Sequence, residues 1–468
     1  MSAAIWFRND LRLVDNPAVA AALANCTKPL KAFYLVAPKQ WQQHYWAPIK
    51  LDLLWRHLAQ FKADLKLHDI ELELLECPHW HQAPRVINDF CQTHQITDLY
   101  ANAEYPLHEQ QRDRAVENWL AEQHISLHMT HGQLIAAPTI RTKQGGIYQK
   151  FTPFHRAWRE QIRVSGLPEC PQIKLNEAAT PAAIGACPLP TKSSEAWPVG
   201  EVATLALLDR YIENHVANYA DERDLPGLDT TSRLSAYFEL GIVGVVTAAK
   251  KLQQLSPQFP DGLEQGADIW LAELAWREFY QHLMAHVPRL SQGKAFQAHT
   301  DAFPWRTGEQ AEADFARWCR GETGFPIVDA GMRQLNSTGW MHNRVRMIVA
   351  SFLVKDLQLD WRWGERYFME NLIDGSFPAN NGGWQWSAST GVDAVPYFRV
   401  FNPTSQSQKV DPDGRYIRTW IKELENCPSK YIHAPSEWLR ANQNHDYPLP
   451  MVDHKQAREQ FLEKFKAL

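Results

Sequence analysis

The sequence predicts two domains of different class: an α/β domain with a doubly wound parallel sheet in residues 1–130 and an all-α domain in residues 204–468, joined by a connection over residues 131–203. Three observations support this division. Short apolar runs alternate with helical patterns in the first part, helical periodicity dominates after about residue 203, and the proline- and alanine-rich stretch 166–200 has no sustained period. Because 45% of the 468 residues are apolar, both parts can bury a core.

Four apolar runs predict the strands of the sheet, at residues 4–7, 31–36, 70–75 and 98–101. Between the second and third runs, apolar residues recur every three or four positions, which is typical of a helix that packs one face against a sheet. They are Leu51, Leu54, Trp55, Leu58, Phe61 and Leu65. Alternating strands and helices imply a Rossmann-like parallel sheet with right-handed crossovers. Neither the dinucleotide-binding glycine motif nor the phosphate-binding loop follows the first strand, so the chemistry of those motifs is not expected.

The periodic pattern of the second part predicts helices near residues 205–221, 233–255, 267–286, 311–321, 326–336, 341–356, 362–372 and 379–390, with a closing helix over 455–467. Charged residues within the first ten positions, and the lack of any run of eighteen apolar residues, favour a monomeric cytoplasmic protein without signal peptide or membrane span. The seven scattered cysteines form no C-x-x-C pair and are expected to be reduced thiols rather than disulfides or metal ligands. A net charge of −5 excludes bulk electrostatic coating of nucleic acid, so DNA affinity would require a local basic patch.

The most informative segment combines Asp374 with the stretch Asn380-Asn381-Gly382-Gly383-Trp384-Gln385-Trp386. Amides can bond the edge of a heterocycle, glycines let the backbone approach it, and indoles offer stacking surface or an electron path. Of 19 tryptophans, nine fall in residues 270–386. The alternative is that they only fill the core of a large helical domain.

Three further segments carry candidate chemistry. Helical spacing puts Glu273, Trp276, Arg277 and Tyr280 on one face, which could stack on and bond a nucleobase, although an exposed helix with a Glu273–Arg277 pair is an alternative. In residues 340–347, Asn343, Arg346 and Met347 share a face and Arg344 lies nearer the opposite side, so the two arginines could supply the basic patch. His342 has no second histidine four positions away and is expected to be a structural side chain rather than a metal ligand. The hydroxyl-rich turn 229–235 could cradle a pyrophosphate, or could be an ordinary N-cap.

Together these segments, with the opening stretch Trp6-Phe7-Arg8-Asn9-Asp10-Leu11-Arg12-Leu13-Val14-Asp15-Asn16, resemble the photolyase/cryptochrome family along essentially the whole chain. Within that family the resemblance is closest to bacterial class I cyclobutane pyrimidine dimer photolyases. It implies an α/β antenna-binding domain and a helical domain that binds FAD and DNA containing pyrimidine dimers, double- or single-stranded. Reduced flavin would pass an electron to the flipped-out dimer on illumination and receive it back after the cyclobutane ring opens.

The resemblance also implies roles for individual residues. Asn380 would face flavin N5, Asp374 and Arg346 would form an ion pair beside the ring, and Trp384, Trp361 and Trp305 would relay electrons outward in that order. The implied FAD contacts are Tyr219, Thr231, Ser232, Arg233, Leu234, Ser235, Trp270, Arg277, Asn343, Arg346, Asp374 and Asn380. Those to DNA are Arg223, Glu273, Trp276, Asn343, Arg344, Met347 and Trp386, with Glu273 bonding the base during catalysis.

A folate antenna, 5,10-methenyltetrahydrofolate, would contact His44 and Glu109, although His108 stands where a folate-binding relative would carry asparagine. Ser376 likewise replaces a second aspartate after Asp374. Three alternatives are weighed. A six-four photoproduct photolyase would carry histidines at Asn343 and Met347, a cryptochrome photoreceptor would tend to lose the pair formed by Glu273 and Trp276, and a generic redox flavoprotein would not explain so many aromatic residues.

Overall fold

The computed structural model describes residues 2–26, 29–171, 173–443 and 445–468. The described chain forms two compact units. One is drawn from Met1–Ala220, Ser232–Ser291 and Asp374–Pro378, and the other from Asp221–Thr231, Gln292–Ile373 and Ala379–Leu468. The predicted domain boundaries at residues 130 and 203 stay a prediction.

The first unit is built on a five-stranded parallel sheet in the order β3-β2-β1-β4-β5. The strands are β1 (Ala3–Phe7), β2 (Leu30–Val36), β3 (Ile70–Glu76), β4 (Asp98–Asn102) and β5 (Ser126–Thr130). The strand order reverses between β1 and β4, which in open α/β sheets is where ligands bind beyond the carboxyl ends of the strands. This confirms the predicted parallel sheet. The fifth strand was missed because its sequence, SLHMT, is only partly buried at the sheet edge and has no apolar run.

The helices that accompany the sheet are α1 (Pro17–Asn25), α2 (Pro38–Gln43), α3 (Pro48–Lys66), α4 (Ala83–Thr93), α5 (Leu107–Glu122) and α6 (Phe151–Ser165). Helix α6 lies within residues 131–203, the stretch predicted to connect the two domains, and no helix was predicted there. Its signal was present, because the buried residues Phe151, Phe154, Trp158 and Ile162 follow helical spacing.

The remaining helices confirm a helical second half. They are α7 (Glu201–Asn214), α8 (Tyr219–Glu222), α9 (Ser235–Glu239), α10 (Val245–Gln253), α11 (Gln265–His286), α12 (Pro288–Ser291), α13 (Glu309–Arg320), α14 (Pro326–Thr338), α15 (Asn343–Ser351), α16 (Trp361–Asn371), α17 (Phe377–Ala388), α18 (Pro403–Val410), α19 (Arg415–Trp420), α20 (Ser436–Ala441) and α21 (His454–Lys466). A π-helical turn at Phe352–Asp356 follows α15, and short 3-10 turns lie at Trp80–Gln82, Val216–Asn218, Ala298–Ala302 and Lys422–Leu424.

The single helix predicted over residues 233–255 is wrong, because Gly241 divides it into α9 and α10. Gly241 has φ +65°, and a Cβ at that position would overlap the backbone of Asn9 and Asp10. Its carbonyl also accepts from Nη1 of Arg12, at 3.1 Å. The chain therefore turns where the loop after β1 packs against it, and only glycine allows this approach.

Within the described residues, no helix has the combination of length and apolar character needed to cross a membrane. All seven cysteines are free thiols. The predicted absence of disulfides therefore holds at every cysteine position.

Candidate functional site

The predicted site residues are distributed over both compact units. The first unit contains His44, Glu109, Tyr219, Ser232, Arg233, Leu234, Ser235, Trp270, Glu273, Trp276, Arg277 and Asp374. The second contains Arg223, Thr231, Trp305, Asn343, Arg344, Arg346, Met347, Trp361, Asn380, Trp384 and Trp386.

Within the first unit, two segments far apart in sequence meet through Ser235 and Asp374. The Ser235 hydroxyl donates to Oδ2 of Asp374 at 2.6 Å, and the carboxyl group is 7% exposed. Ser235 is the first residue of α9, and Asp374 begins the turn that leads into α17. A buried carboxyl held by a hydroxyl has a defined orientation, which is what a fixed contact to a ligand requires.

The hydroxyl-rich segment before α9 is not an ordinary N-cap. The cap position is Leu234, which makes no side-chain capping bond, and the Ser232 hydroxyl accepts from the Leu234 amide at 3.4 Å. Arg233 adopts φ +51°, a left-handed conformation that is uncommon for arginine. Because α9 has only five residues, any anion bound here would depend on the hydroxyls and on Arg233 more than on a helix dipole.

On α11, Trp276 stacks face to face on Phe151 of α6, with ring centroids 3.7 Å apart and an interplanar angle of 7°. Trp270 on the same helix is buried against Tyr211 at 5.2 Å, and Tyr219 contacts Tyr211 edge-on at 6.5 Å. The Trp276 indole is only partly buried, so it keeps exposed surface. The contact with Phe151 restricts the orientation in which Trp276 could receive a base.

Arg277 is directed towards backbone carbonyls. Its guanidinium donates to the carbonyls of Gln133 at 2.8 Å and Phe238 at 3.5 Å, and burial lowers its pKa. Phe238 belongs to α9, so Arg277 links α11 to the segment that carries Ser235. Arg277 therefore contributes to the shape of the predicted site whatever else it contacts.

Glu278 is a structural residue that the sequence analysis missed. It is fully buried and accepts hydrogen bonds from the Ile135 amide, from the Ala136 amide at 3.1 Å and from the Trp158 indole at 2.7 Å. Burial raises its pKa to about 7. The carboxyl group fastens α6 and the 135–136 loop to α11, and thereby holds the surface on which Phe151 and Trp276 stack. The sequence pattern that could have indicated Glu278 is a charged residue at the helical spacing of the buried apolar residues of α11.

The two predicted antenna residues lie beside a crevice at the carboxyl ends of the strands. His44 ends α2 and contacts the rings of Trp80 at 4.9 Å and His108 at 5.7 Å. Desolvation lowers the pKa of His44 to about 4, so it is neutral at pH 7. Burial, followed by the nearby Glu104 carboxylate, raises the pKa of Glu109 to about 8. A neutral Glu109 can donate as well as accept a hydrogen bond, which suits the edge of a heterocycle.

The side chains that line this crevice fill most of its volume. The indoles of Trp41 and Trp46 stack at 5.6 Å, and the Arg112 guanidinium lies 4.9 Å from the Trp6 ring and 4.6 Å from the Trp80 ring. The remaining cavity has a volume of about 40 Å³, which is room for a few water molecules at most. A ring system larger than that would have to bind at the rim, where His44 and Glu109 stand, or displace an indole.

Within the second unit, α17 is tied to α16 through Glu365. The Asn380 amide donates to the Glu365 backbone carbonyl at 2.9 Å, and the Asn381 amide donates to Oε1 of the Glu365 carboxyl at 2.7 Å. Burial raises the pKa of Glu365 to about 7. Glu365 was not predicted from the sequence, because its partners lie on another helix and no local pattern indicates them. It orients the amide of Asn380, the residue predicted to face flavin N5.

The three predicted relay tryptophans lie in one apolar cluster of the second unit. Trp384 and Trp361 are buried at 2% and 1% exposure, and Trp305 is partly buried against the same cluster. Gly364 allows α16 to pack closely against Trp384, because a Cβ at position 364 would overlap the six-membered ring of that indole. Trp318 contacts the same ring edge-on at 6.1 Å. The predicted relay therefore runs from two buried indoles to a partly exposed one, and its role in electron transfer stays a prediction.

Of the two arginines predicted to supply a basic patch, Arg344 is paired with a carboxylate. Nη2 of Arg344 donates to both oxygens of the Asp224 carboxylate, at 2.7 Å each. Nε of Arg223 lies 3.9 Å from Oδ1 of the same carboxylate. Nε of Arg346 donates to the Met341 carbonyl at 2.8 Å.

The other predicted lesion residues of this unit lie on α15 and α17. Asn343 is the exposed first residue of α15, and the sulfur of Met347 accepts from Arg344 at 3.6 Å. Trp386 contacts Phe401 edge-on at 6.3 Å. His342 caps α15 by accepting from the Arg344 amide, so the expectation of a structural histidine is confirmed. Among the described residues, no group of three His, Cys, Asp or Glu side chains could hold a metal ion.

The side chains on α17 suit a flat aromatic cofactor. Asn380 and Gly383 share a helical face, and a Cβ at Gly383 would meet no atom within 4 Å. One face of α17 therefore offers an oriented amide next to open space, and Trp384 follows directly on the apolar side. These features fit FAD.

Comparison with known proteins gives the same family for both parts of the chain. Residues 3–174 match the family described as DNA photolyase, and residues 270–467 match the FAD binding domain of DNA photolyase. Deoxyribodipyrimidine photo-lyase of Vibrio cholerae is 42% identical over 99% of this chain and 98% of the relative, and that of Escherichia coli is 41% identical over the same shares.

Solved structures agree over the full length. A class III photolyase from Agrobacterium tumefaciens superimposes with a TM-score of 0.85 at 34% identity, covering 100% of this chain and 97% of the other. A cryptochrome from Synechocystis gives a TM-score of 0.84 at 27% identity, covering 99% and 98%. The chain belongs to the DNA photolyase family and carries the FAD-binding domain of that family.

Proposed function

We propose that this protein is a deoxyribodipyrimidine photo-lyase, which uses FAD and light to split cyclobutane pyrimidine dimers in DNA. One observation carries the proposal: within residues 380–384 of α17 lie the oriented amide of Asn380, the open space at Gly383 and the buried indole of Trp384. A cofactor contact, room for its ring and an electron path thus occur together. The full-length identity to enzymes of this name supports the same reaction.

The FAD would be held by the residues that the sequence predicts. Asp374, oriented by Ser235, and Asn380, oriented by Glu365, would contact the ring edge, while Ser232 and Arg233 would contact the phosphates. The expected ion pair of Asp374 with Arg346 is part of this proposal. Bound reduced FAD supplies the electron that light drives into the dimer and takes it back after the ring opens, so no net oxidation occurs.

The residues of this chain supply binding and orientation. A pyrimidine dimer stacks and pairs poorly, so flipping it out of the duplex costs less than flipping normal bases. Trp276, fixed by Phe151, would stack on the flipped dimer, and Glu273 three positions earlier would bond its polar edge and stabilise the charge that develops there. Arg223 and Arg344 would contact the flanking phosphates.

Incubating the purified protein with an oligonucleotide that contains a thymine dimer, in light and in darkness, tests this function. We expect the dimer to disappear only under blue light. Binding without light-dependent repair would instead identify a cryptochrome-type receptor. Repair of six-four photoproducts alone would also contradict the proposal.

We further propose a domain arrangement, an antenna, an oligomeric state and a cellular location. Residues 1–130 would form the antenna-binding domain, 131–203 the connection and 204–468 the domain that binds FAD and DNA. The antenna would be a folate, held at the rim of the filled crevice by His44 and Glu109. The protein would act as a cytoplasmic monomer. Reconstitution with 5,10-methenyltetrahydrofolate, followed by its near-ultraviolet absorption, tests the antenna assignment.

A further inference from the structure

Lys50 of α3 is a buried lysine in the first unit, 1% exposed. Burying an ammonium group is costly unless partners compensate it. Its Nζ donates to Oε1 of Glu239 at 2.8 Å and to the Gly375 carbonyl at 2.9 Å, and lies 4.2 Å from the Trp46 ring centre. The α/β part of the chain thus reaches two segments that come much later in the sequence.

Those two segments are the ones that meet at Asp374. Glu239 is the last residue of α9, whose first residue, Ser235, bonds the Asp374 carboxyl at 2.6 Å. Gly375 directly follows Asp374 in the chain. The contacts therefore close a ring that runs from Lys50 to Glu239, along α9 to Ser235, across to Asp374, and back from Gly375 to Lys50.

This ring has a mechanical consequence for Asp374. The turn after residue 373 lies outside any regular element up to Phe377, so no backbone ladder holds it. The Gly375 carbonyl accepts from Lys50, which ties this turn to α3. If that donor is lost, Lys50 no longer holds the Gly375 carbonyl and Glu239 together, and we expect the Asp374 carboxyl to be less firmly oriented on Ser235.

We propose that Lys50 is a positioning residue of the flavin site, because it holds the turn that contains Asp374 in place against α9. The proposal rests on the assignment of FAD to Asp374 and Ser235 above. The Lys50 ammonium group also lies over the ring of Trp46. The Trp46 indole stacks on Trp41 in the wall of the filled crevice. The same ammonium group therefore connects the antenna side of the first unit to the flavin side.

Replacement of Lys50 by methionine tests the proposal, because methionine keeps the length and removes the donor. A lost hydrogen bond to a charged group corresponds to roughly a tenfold to hundredfold change, so we expect K50M to release FAD at least about tenfold more readily than the wild type. The absorption band of bound oxidised flavin should also lose its vibrational structure. Lys50→Arg keeps the charge and donors and should recover most of the affinity and the band shape.

Lys355→Met is the matched control. Lys355 is equally buried, lies in the second unit and donates to the Arg399 carbonyl at 3.1 Å. It should leave the affinity for FAD and the flavin band unchanged. If K50M and K355M bind FAD with the same affinity and spectrum as the wild type, Lys50 has no positioning role.

The double variant K50M/E239Q separates positioning from simple destabilisation. It removes the buried ammonium group and its partly buried partner charge together, so no unpaired carboxylate remains to unfold the protein. We expect it to unfold near the wild-type denaturant midpoint and yet to release FAD as readily as K50M, because Gly375 still lacks its donor. Wild-type FAD affinity in this folded variant would overturn the inference. Failure of the wild-type protein itself to bind FAD or repair DNA would instead contradict the proposed function.

Discussion

The carboxyl group of Glu365 accepts a hydrogen bond from the Asn381 amide at 2.7 Å, while its backbone carbonyl accepts one from the neighbouring Asn380. One glutamate on α16 thus sets the orientation of two consecutive amides on α17. Since α16 also carries Trp361, the residue expected at flavin N5 and the middle member of the tryptophan relay are held by the same helix. The predicted flavin contact and the predicted electron path are therefore coupled through α16.

Glu365→Gln should change the pH dependence of stability. The Glu365 pKa rises from its ordinary value of 4.5 to about 7 in the native state, so the native state binds more protons than the unfolded state between these values. Its ionisation therefore lowers the stability of the wild type as pH rises from about 4.5 to 7. Glutamine cannot ionise, and we expect the variant to be more stable by on the order of 3 kcal/mol at pH 8 and nearly equal at pH 5. Guanidinium unfolding at both pH values measures this, with Glu370→Gln on the same helix as control. Equal differences at both pH values would contradict the prediction.

Glu273→Ala should lower repair without releasing the flavin. The carboxyl group would stabilise charge on the dimer, and losing such a bond lowers the repair yield per absorbed photon by roughly tenfold. The measurement is the quantum yield on a dimer-containing oligonucleotide, with flavin absorbance as a check on loading. Glu264→Ala, at the exposed start of the same helix, should retain the wild-type yield. An unchanged yield in E273A would refute the role of Glu273.

Trp384→Phe should abolish light-driven reduction of oxidised flavin. Phenylalanine fills most of the space but is much harder to oxidise than an indole, so the first step of the relay is lost. Protein reduced chemically in the dark should still repair dimers, because repair itself does not use the relay. Trp318→Phe removes a buried indole that contacts Trp384 but lies outside the proposed path, and should photoreduce normally. Rapid photoreduction in W384F would place the electron path elsewhere.

Phe151→Leu should weaken binding of damaged DNA. The Phe151 ring supports one face of Trp276 at 3.7 Å, and aromatic stacking of this kind contributes about 1 kcal/mol beyond the area it buries. We expect roughly a fivefold loss in affinity for a dimer-containing duplex, with little change for undamaged DNA. Fluorescence anisotropy measures both. Phe154→Leu changes a buried ring on the same helix that contacts Phe279 rather than Trp276, and should retain the discrimination.

Much of the fold could be predicted from local patterns. The first four strands, the helix at Pro48–Lys66 and the helix at Gln265–His286 follow from apolar runs and periodicity, because these signals act over a few residues. The prediction was wrong where contacts with a distant segment determine the local secondary structure. The helix expected over 233–255 breaks because Gly241 packs on the backbone of Asn9, and Ser126–Thr130 pairs as an edge strand although its sequence is polar.

By itself, the sequence determined the fold class and the family, and it predicted Asp374, Asn380 and the three relay tryptophans as site residues, since these depend on residue type and local order. Only the tertiary structure decided what holds them. Ser235 lies 139 residues from Asp374, Glu365 lies on a different helix from Asn380, and Lys50 lies 325 residues from Gly375. Such contacts arise when buried polar groups must find partners as the core closes, and the choice of partner depends on the packing of whole elements rather than on any local pattern.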